Sequence, residues 1–124
     1  MRIIEILREA NMPQDVVEYY KAQARLNEVI EIPSDEEIQD LIEVLKCLSN
    51  PIRLKIIAML SKPHCVCVLT KALGYDITLI SHHLARLKEC NLVRVEPLAR
   101  ARIYARNEEF LREFISCLMK MFLT

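Results

Sequence analysis

A chain of 124 residues makes one domain, or one domain with an extension; its 52% hydrophobic and 27% charged residues are too apolar for disorder and too evenly charged for a membrane span. Its single glycine excludes the Rossmann and P-loop phosphate cradles and leaves an all-β chain without its turn residues, so a mostly helical fold with short loops is expected. The net charge of zero is divided unevenly: residues 1–46 carry five Lys/Arg against eleven Asp/Glu, a net of −6, and residues 47–124 carry twelve against six, a net of +6, which turns the rear of the chain toward a polyanion.

Residues 1–10 suit a short helix, and Asn11-Met12-Pro13 breaks it. Pro13 fits the first turn of a second helix running to about Ile30, with Val16, Val17, Tyr20, Ala24 and Leu26 loosely at helical period. Ile32-Pro33-Ser34-Asp35 ends it. Asp35 then caps a helix through about Leu48, with Ile38, Leu41, Ile42 and Leu45 on one face. Asn50 and Pro51 start the next helix, whose core face is Ile52, Ile56, Ile57 and Leu60, with Arg53 and Lys55 off it. After Ser61-Lys62-Pro63 comes a short helix, about Val66–Leu73, stopped by Gly74; Asp76 caps another from Ile77 to about Cys90. Two helices joined by a tight glycine turn and a cap are a helix-turn-helix signature. Beyond Asn91 the period shifts toward two: residues 92–96 and 102–105 alternate as a hairpin around Pro97-Leu98-Ala99-Arg100. Asn107 caps a last helix with a wide apolar stripe of Phe110, Leu111, Phe114, Ile115, Leu118, Met119 and Phe122.

Five cysteines, an odd number, rule out a complete disulfide framework within one chain. The opening Met1-Arg2-Ile3-Ile4-Glu5 has an acid where a signal peptide needs its apolar stretch, and Lys120 interrupts the C-terminal apolar run. The expectation is a cytoplasmic protein with free thiols and no membrane partner.

Cys47 to Arg106 resembles the winged helix-turn-helix of ArsR/SmtB-type repressors. The stretches that carry the resemblance are Leu48-Ser49-Asn50-Pro51-Ile52-Arg53-Leu54, Cys65-Val66-Cys67-Val68-Leu69, Ala72-Leu73-Gly74, Ser81-His82-His83-Leu84 and Leu87-Lys88-Glu89. They cover roughly half the chain. The resemblance implies a mainly α fold with a small β-hairpin, a winged helix-turn-helix with extra N- and C-terminal helices, working as a dimer. Residues 1–34 are then an N-terminal helical extension, and residues 35–124 the winged domain with its C-terminal dimerisation helix.

On a wheel of about 100° per residue centred on Ile80, Ile77, Leu84 and Leu87 fall within roughly 60° and face the core. His82 lies nearly opposite, Thr78 and Ala85 share its side, Arg86 sits at its edge, and Ser81 stands at about 100°. Thr78, Ser81, His82 and Arg86 form a stripe able to hydrogen-bond base edges in a major groove. His83 falls on the flank of the buried face, packed and hydrogen-bonded inside, and adjacent histidines diverge too far to share one ion. Arg94, Arg100 and Arg102, with Arg106, charge the hairpin that would be the wing and hold phosphates. The usual family wing has a glycine near its tip; here that place holds Pro97-Leu98-Ala99.

Cys65 and Cys67 follow Pro63 at a helix start, where the backbone can turn far enough for both sulfurs to meet one soft ion. In the resembling family such a pair helps bind arsenite, antimonite or a heavy divalent metal, and binding releases DNA. The readings left open are an arsenite, zinc or other thiophilic-ion site, a thiol oxidation switch, and buried inert thiols. The third cysteine of the arsenite pattern is here Thr70; His64, Cys47 and Cys90 stand at no matching spacing. There are no paired carboxylates, no nucleophile–base pair and no phosphate loop, so the expected function is not enzymatic. It is transcriptional regulation by a homodimeric repressor of double-stranded DNA; the alternative is a winged-helix protein-protein interaction module of the transcription machinery.

Overall fold

A computed structural model of the chain describes residues Met1–Leu123. They form two compact units, Met1–Asp35 and the segment from Glu36 onward.

In the first unit, α1 (Ile3–Glu9) and α2 (Gln14–Ala22) are followed by a return segment rather than by more helix. The helix expected to reach Ile30 stops at Ala22, and Ala24 takes a left-handed φ of 56°. The reason lies in backbone accounting. The first amides of a helix have no intrahelical partner. Here Ile3 N–H donates to the Glu28 carbonyl and Ile4 N–H to that of Leu26, each at 2.9 Å, while Ile30 N–H donates to the Met1 carbonyl at 3.0 Å. Residues 26–30 serve the start of α1 instead of extending α2. Ile3 and Leu7 form the small buried face.

In the second unit the order is α3 (Asp35–Leu48), α4 (Pro51–Met59), β1 (His64–Cys65), α5 (Val66–Leu73), α6 (Ile77–Glu89), β2 (Val93–Leu98), β3 (Ala101–Arg106) and α7 (Glu108–Phe122). Asp35, expected to cap α3, is instead its first helical residue, whereas the other three expected caps are made. Asn50 Oδ1 accepts from Ile52 N–H at 2.9 Å and Arg53 N–H at 3.1 Å, Asp76 Oδ1 from Leu79 N–H at 3.0 Å, and Asn107 Oδ1 from Phe110 N–H at 3.3 Å. Gly74 ends α5 at φ 75°, a left-handed conformation that suits glycine.

The sheet is antiparallel, ordered β1-β3-β2, with Val93 opposite Arg106 and Leu98 opposite Ala101. The hairpin therefore turns through Ala99 and Arg100 alone, with Ala99 at φ 53°. Pro97 lies inside β2, an edge strand, where its missing N–H leaves no central ladder bond unmade. The two-residue β1, which adds Cys65 opposite Ile103, was not anticipated; a strand so short has no period to detect.

One core unites these elements: Cys47 of α3, Ile56 of α4, Leu69 of α5, Ile80, Leu84 and Leu87 of α6, Leu92 beyond it, and Tyr104, Leu111 and Phe114 of β3 and α7. Only part of the α7 stripe joins it. Ile115 is 50% exposed, Met119 53% and Phe122 73%. Among the described residues no helix is long and apolar enough to cross a membrane.

Candidate nucleic-acid interface

The inward side of α6 is closely held. Ile80, Leu84 and Leu87 are completely buried, and His83 is 7% exposed. Arg53 reaches across from α4, donating through Nε to the Cys47 carbonyl, while its Nη1 stands 3.2 Å from His83 Nδ1. A guanidinium has no acceptor, so Nδ1 must carry the lone pair and the imidazole is neutral. Burial, then the charge of Arg53, then His82, holds the His83 pKa below its ordinary value. His83 is thus packed and hydrogen-bonded inside, as the wheel placed it. Arg53, placed off the core face by the same reasoning, ties α3, α4 and α6 together; helical period says which side a residue faces but not that a long side chain bends back to a carbonyl.

The outward side of α6 is free of the core. Thr78, Ser81, His82 and Ala85 are exposed. Arg86, half-buried, stands at the edge, its Nη1 3.3 Å from Glu89 Oε2. Ile77 departs from expectation: it is 59% exposed. A wheel assigns a face but not how far along the axis packing reaches, and core contact on α6 begins only at Ile80. Arg94, Arg100 and Arg102 are exposed on the hairpin. Arg106 is not available in the same way, because its Nε pairs with Glu108 at 2.8 Å and its Nη1 donates to the Ile57 carbonyl at 3.4 Å.

Cys65 and Cys67 are joined by a disulfide, with Cα atoms 5.3 Å apart. This corrects the expectation of free thiols for this pair; Cys47, Cys90 and Cys117 are the free ones, and Cys117 is exposed. The local backbone explains how two sulfurs in a Cys-x-Cys segment meet. Cys65 is extended, at φ −71° and ψ 151°, as the N-cap of α5, whereas Cys67 lies inside the first turn. The Cys65 sulfur also accepts from Cys67 N–H at 3.2 Å. Because Cys65 belongs to β1 and its partner to α5, the bond sits where the wing sheet meets the helix-turn-helix. Cys67 faces an open depression with Val68, Lys71 and Ala72. Among the described residues no group of three or more His, Cys, Asp or Glu side chains is placed to hold a metal ion. Thr70, where the arsenite pattern has a third cysteine, buries its hydroxyl without a hydrogen-bond partner.

A family model described as "bacterial regulatory protein, arsR family" matches residues 50–95. No curated protein matches the chain. Among solved structures, HlyU from Vibrio cholerae is 24% identical, with a TM-score of 0.62, over 73% of this chain and 100% of that one. The transcriptional regulator HlyU from Vibrio vulnificus is 26% identical, with a TM-score of 0.59, over 71% and 93%. The homodimeric winged helix-turn-helix DNA-binding domain of Mb0332 from Mycobacterium bovis is 24% identical, with a TM-score of 0.58, over 77% and 94%. Residues 50–95 thus match the model of the arsR family of bacterial regulatory proteins, and the fold that holds them is that of a winged helix-turn-helix domain.

Proposed function

We propose that the chain is a DNA-binding transcriptional regulator, a cytoplasmic homodimeric repressor that reads an operator with α6. The observation that carries this reading is the two-sidedness of α6. Its inner face is locked by core packing and by Arg53, while its outer face presents Thr78, Ser81 and His82, with Arg86 at the rim. Hydroxyl and imidazole groups on a rigid helix meet base edges at defined positions. Arg94, Arg100 and Arg102 grip phosphates from the wing, giving affinity and register without sequence information. The dimer rests on α7, whose exposed Ile115, Met119 and Phe122 leave apolar surface for a second copy, and on the homodimeric Mycobacterium bovis domain of the same fold. Cys65 and Cys67 are the effector site. When reduced they offer two thiolates to arsenite, zinc or another thiophilic ion; when oxidised they are tied as the structure has them, so either event acts at the junction of wing and reading helices.

The test is fluorescence anisotropy with a duplex from the gene's own upstream region against a scrambled duplex, at several salt concentrations. Selective binding with a steep salt slope is expected, weakened by Ser81→Ala and His82→Ala for the upstream duplex only. Absence of DNA binding at any salt would refute the reading. A second reading, a protein-binding module, draws on exposed apolar side chains in the first unit, Tyr19, Val29 and Ile32. DNA binding that is weak and indifferent to salt would favour it.

A further inference from the structure

Two of the free thiols meet at one carbonyl. Cys47 lies in the last turn of α3 and is completely buried; Cys90 is the half-buried residue that ends α6. The Cys47 thiol donates to the Arg86 carbonyl at 3.5 Å, and the Cys90 N–H donates to the same oxygen at 3.2 Å. One oxygen in the last turn of α6 thus accepts from the thiol of Cys47 and from the backbone of Cys90, which brings the two residues into one neighbourhood where Cys90 packs against the core that holds Cys47. The charged groups facing Cys47 are Arg53 from α4 and Arg86 from α6. Cys90 packs against the core, so it is reached by a small reagent only from its exposed side.

We propose that Cys90 and Cys47 form a modification site for low-molecular-weight disulfides, in which Cys90 takes up the mixed disulfide and Cys47 resolves it. In the first step the Cys90 thiolate attacks one sulfur of R–S–S–R. A Cys90–S–S–R bond forms, the reagent's own S–S bond breaks, and RS⁻ leaves. In the second step the Cys47 sulfur attacks the Cys90 sulfur. The Cys47–Cys90 bond forms, the bond to R breaks, and the departing RS⁻ takes the Cys47 proton. Two protein thiols are oxidised and one small disulfide is reduced to two thiols.

The order of steps follows from access, since Cys90 can meet a reagent and Cys47 cannot. Burial, and then the neighbouring Cys90, pushes the Cys47 thiol up to about 12. In the mixed disulfide Cys90 no longer carries a thiol, and burial alone keeps the Cys47 thiolate scarce near neutral pH, so the second step is the slower one and the mixed disulfide persists long enough to be observed. The bond then ties the end of α3 to the end of α6. This chemistry is independent of what α6 reads.

The experiment uses the full chain, reduced, freed of reductant and exposed to oxidised glutathione. Samples are quenched in acid and mapped by mass spectrometry without reduction. Glutathione is expected on Cys90, on exposed Cys117 and, until their own disulfide re-forms, on Cys65 or Cys67, not on Cys47. The Cys90 adduct should then decline as a Cys47–Cys90 crosslink rises. In Cys47→Ala the Cys90 adduct should decay about tenfold more slowly or not at all. In Cys90→Ala, Cys47 should stay unmodified while circular dichroism shows the native fold. Cys47→Ser, which also lacks the resolving thiol, replaces Cys47→Ala if the latter does not fold. The proposal is overturned by glutathione on Cys47 of the native chain, by failure of Cys90 to react while Cys117 does, or by a Cys90 adduct that lasts equally long with and without Cys47.

Discussion

Acidification from about pH 7 to about pH 5 should loosen the winged domain through His83. In the folded chain its Nδ1 accepts from Arg53 Nη1 at 3.2 Å, and the ring is 7% exposed. Protonation would replace that acceptor with a donor facing a guanidinium and would place a charge in the core. The folded pKa therefore lies below 6.5, the ordinary value that the unfolded chain regains. The sign follows: the unfolded state binds the proton first, so stability is complete above about pH 6.5 and falls as the pH drops toward the folded pKa. Inside that window the slope cannot exceed about 1.4 kcal/mol per pH unit for one group. At roughly 4–8 °C per kcal/mol for a domain of this size, Tm should fall by at most about 5–11 °C per pH unit. Thermal unfolding by circular dichroism at constant ionic strength, from about pH 7 to about pH 5, measures it. His83→Asn is the informative variant, since an amide oxygen accepts from Arg53 without titrating; its curve should be nearly flat across the window. Glu5 and Glu28, whose pKa values are held below the usual 4.5 by Arg2 and Arg25, titrate outside the window. A wild-type Tm that is level or rises on acidification, or a His83→Asn slope as steep as the wild type's, would show that His83 does not carry the acid sensitivity.

Three further outcomes follow from the same geometry. Replacing Arg100 or Arg102 by alanine should weaken binding to any duplex and lower the salt slope by about 0.9 for each phosphate the arginine had neutralised, read from anisotropy at several salt concentrations; an unchanged slope would remove that arginine from the interface. Asn50→Ala removes the acceptor for two amides at the start of α4 and should cost about 1 kcal/mol in urea unfolding. Gly74→Ala meets no atom within 4 Å of the added carbon, so its cost should be the left-handed backbone alone, about 1–2 kcal/mol; a loss above about 3 kcal/mol would mean that the turn is packed more tightly than it stands.

Much of the second unit was legible because its signals are local. Asn50, Asp76, Asn107 and Gly74 act within one turn of themselves, and a cap or a left-handed glycine needs no knowledge of the rest of the chain. The period of α6 likewise separated His82 from His83. What was missed depends on partners far along the chain. Segment 26–30 stops being helix because the first amides of α1 need its carbonyls. Strand β1 exists because β3 offers it an edge. Arg53 and Arg106 read as surface cations, yet both turn inward to carbonyls, at Cys47 and Ile57. Free cysteines are expected at 65 and 67 from a reducing compartment, whereas the turn at the helix start, which does let two sulfurs meet, joins them in a disulfide.

Those distant partners are also what would make the domain switchable. A reading helix gains nothing from a signal elsewhere unless something stiff joins the two. Three hydrogen-bonded links converge near α6: Arg53 to the Cys47 carbonyl, Arg53 to His83, and the Cys47 thiol to the Arg86 carbonyl. They join the end of α3 and the start of α4 to both the middle and the last turn of α6. Arg86, a candidate for base or phosphate contact, thus shares its own backbone carbonyl with the buried end of α3. A displacement of α3, whether by dimer contact or by a bond at Cys47, would reach the outer face of α6 through these partly buried links. Deleting Arg53 should therefore reduce operator discrimination more than it reduces affinity for scrambled duplex, because the phosphate contacts proposed for the wing would not depend on the angle of α6. Equal losses for both duplexes in anisotropy would show that Arg53 supports the fold without setting that angle.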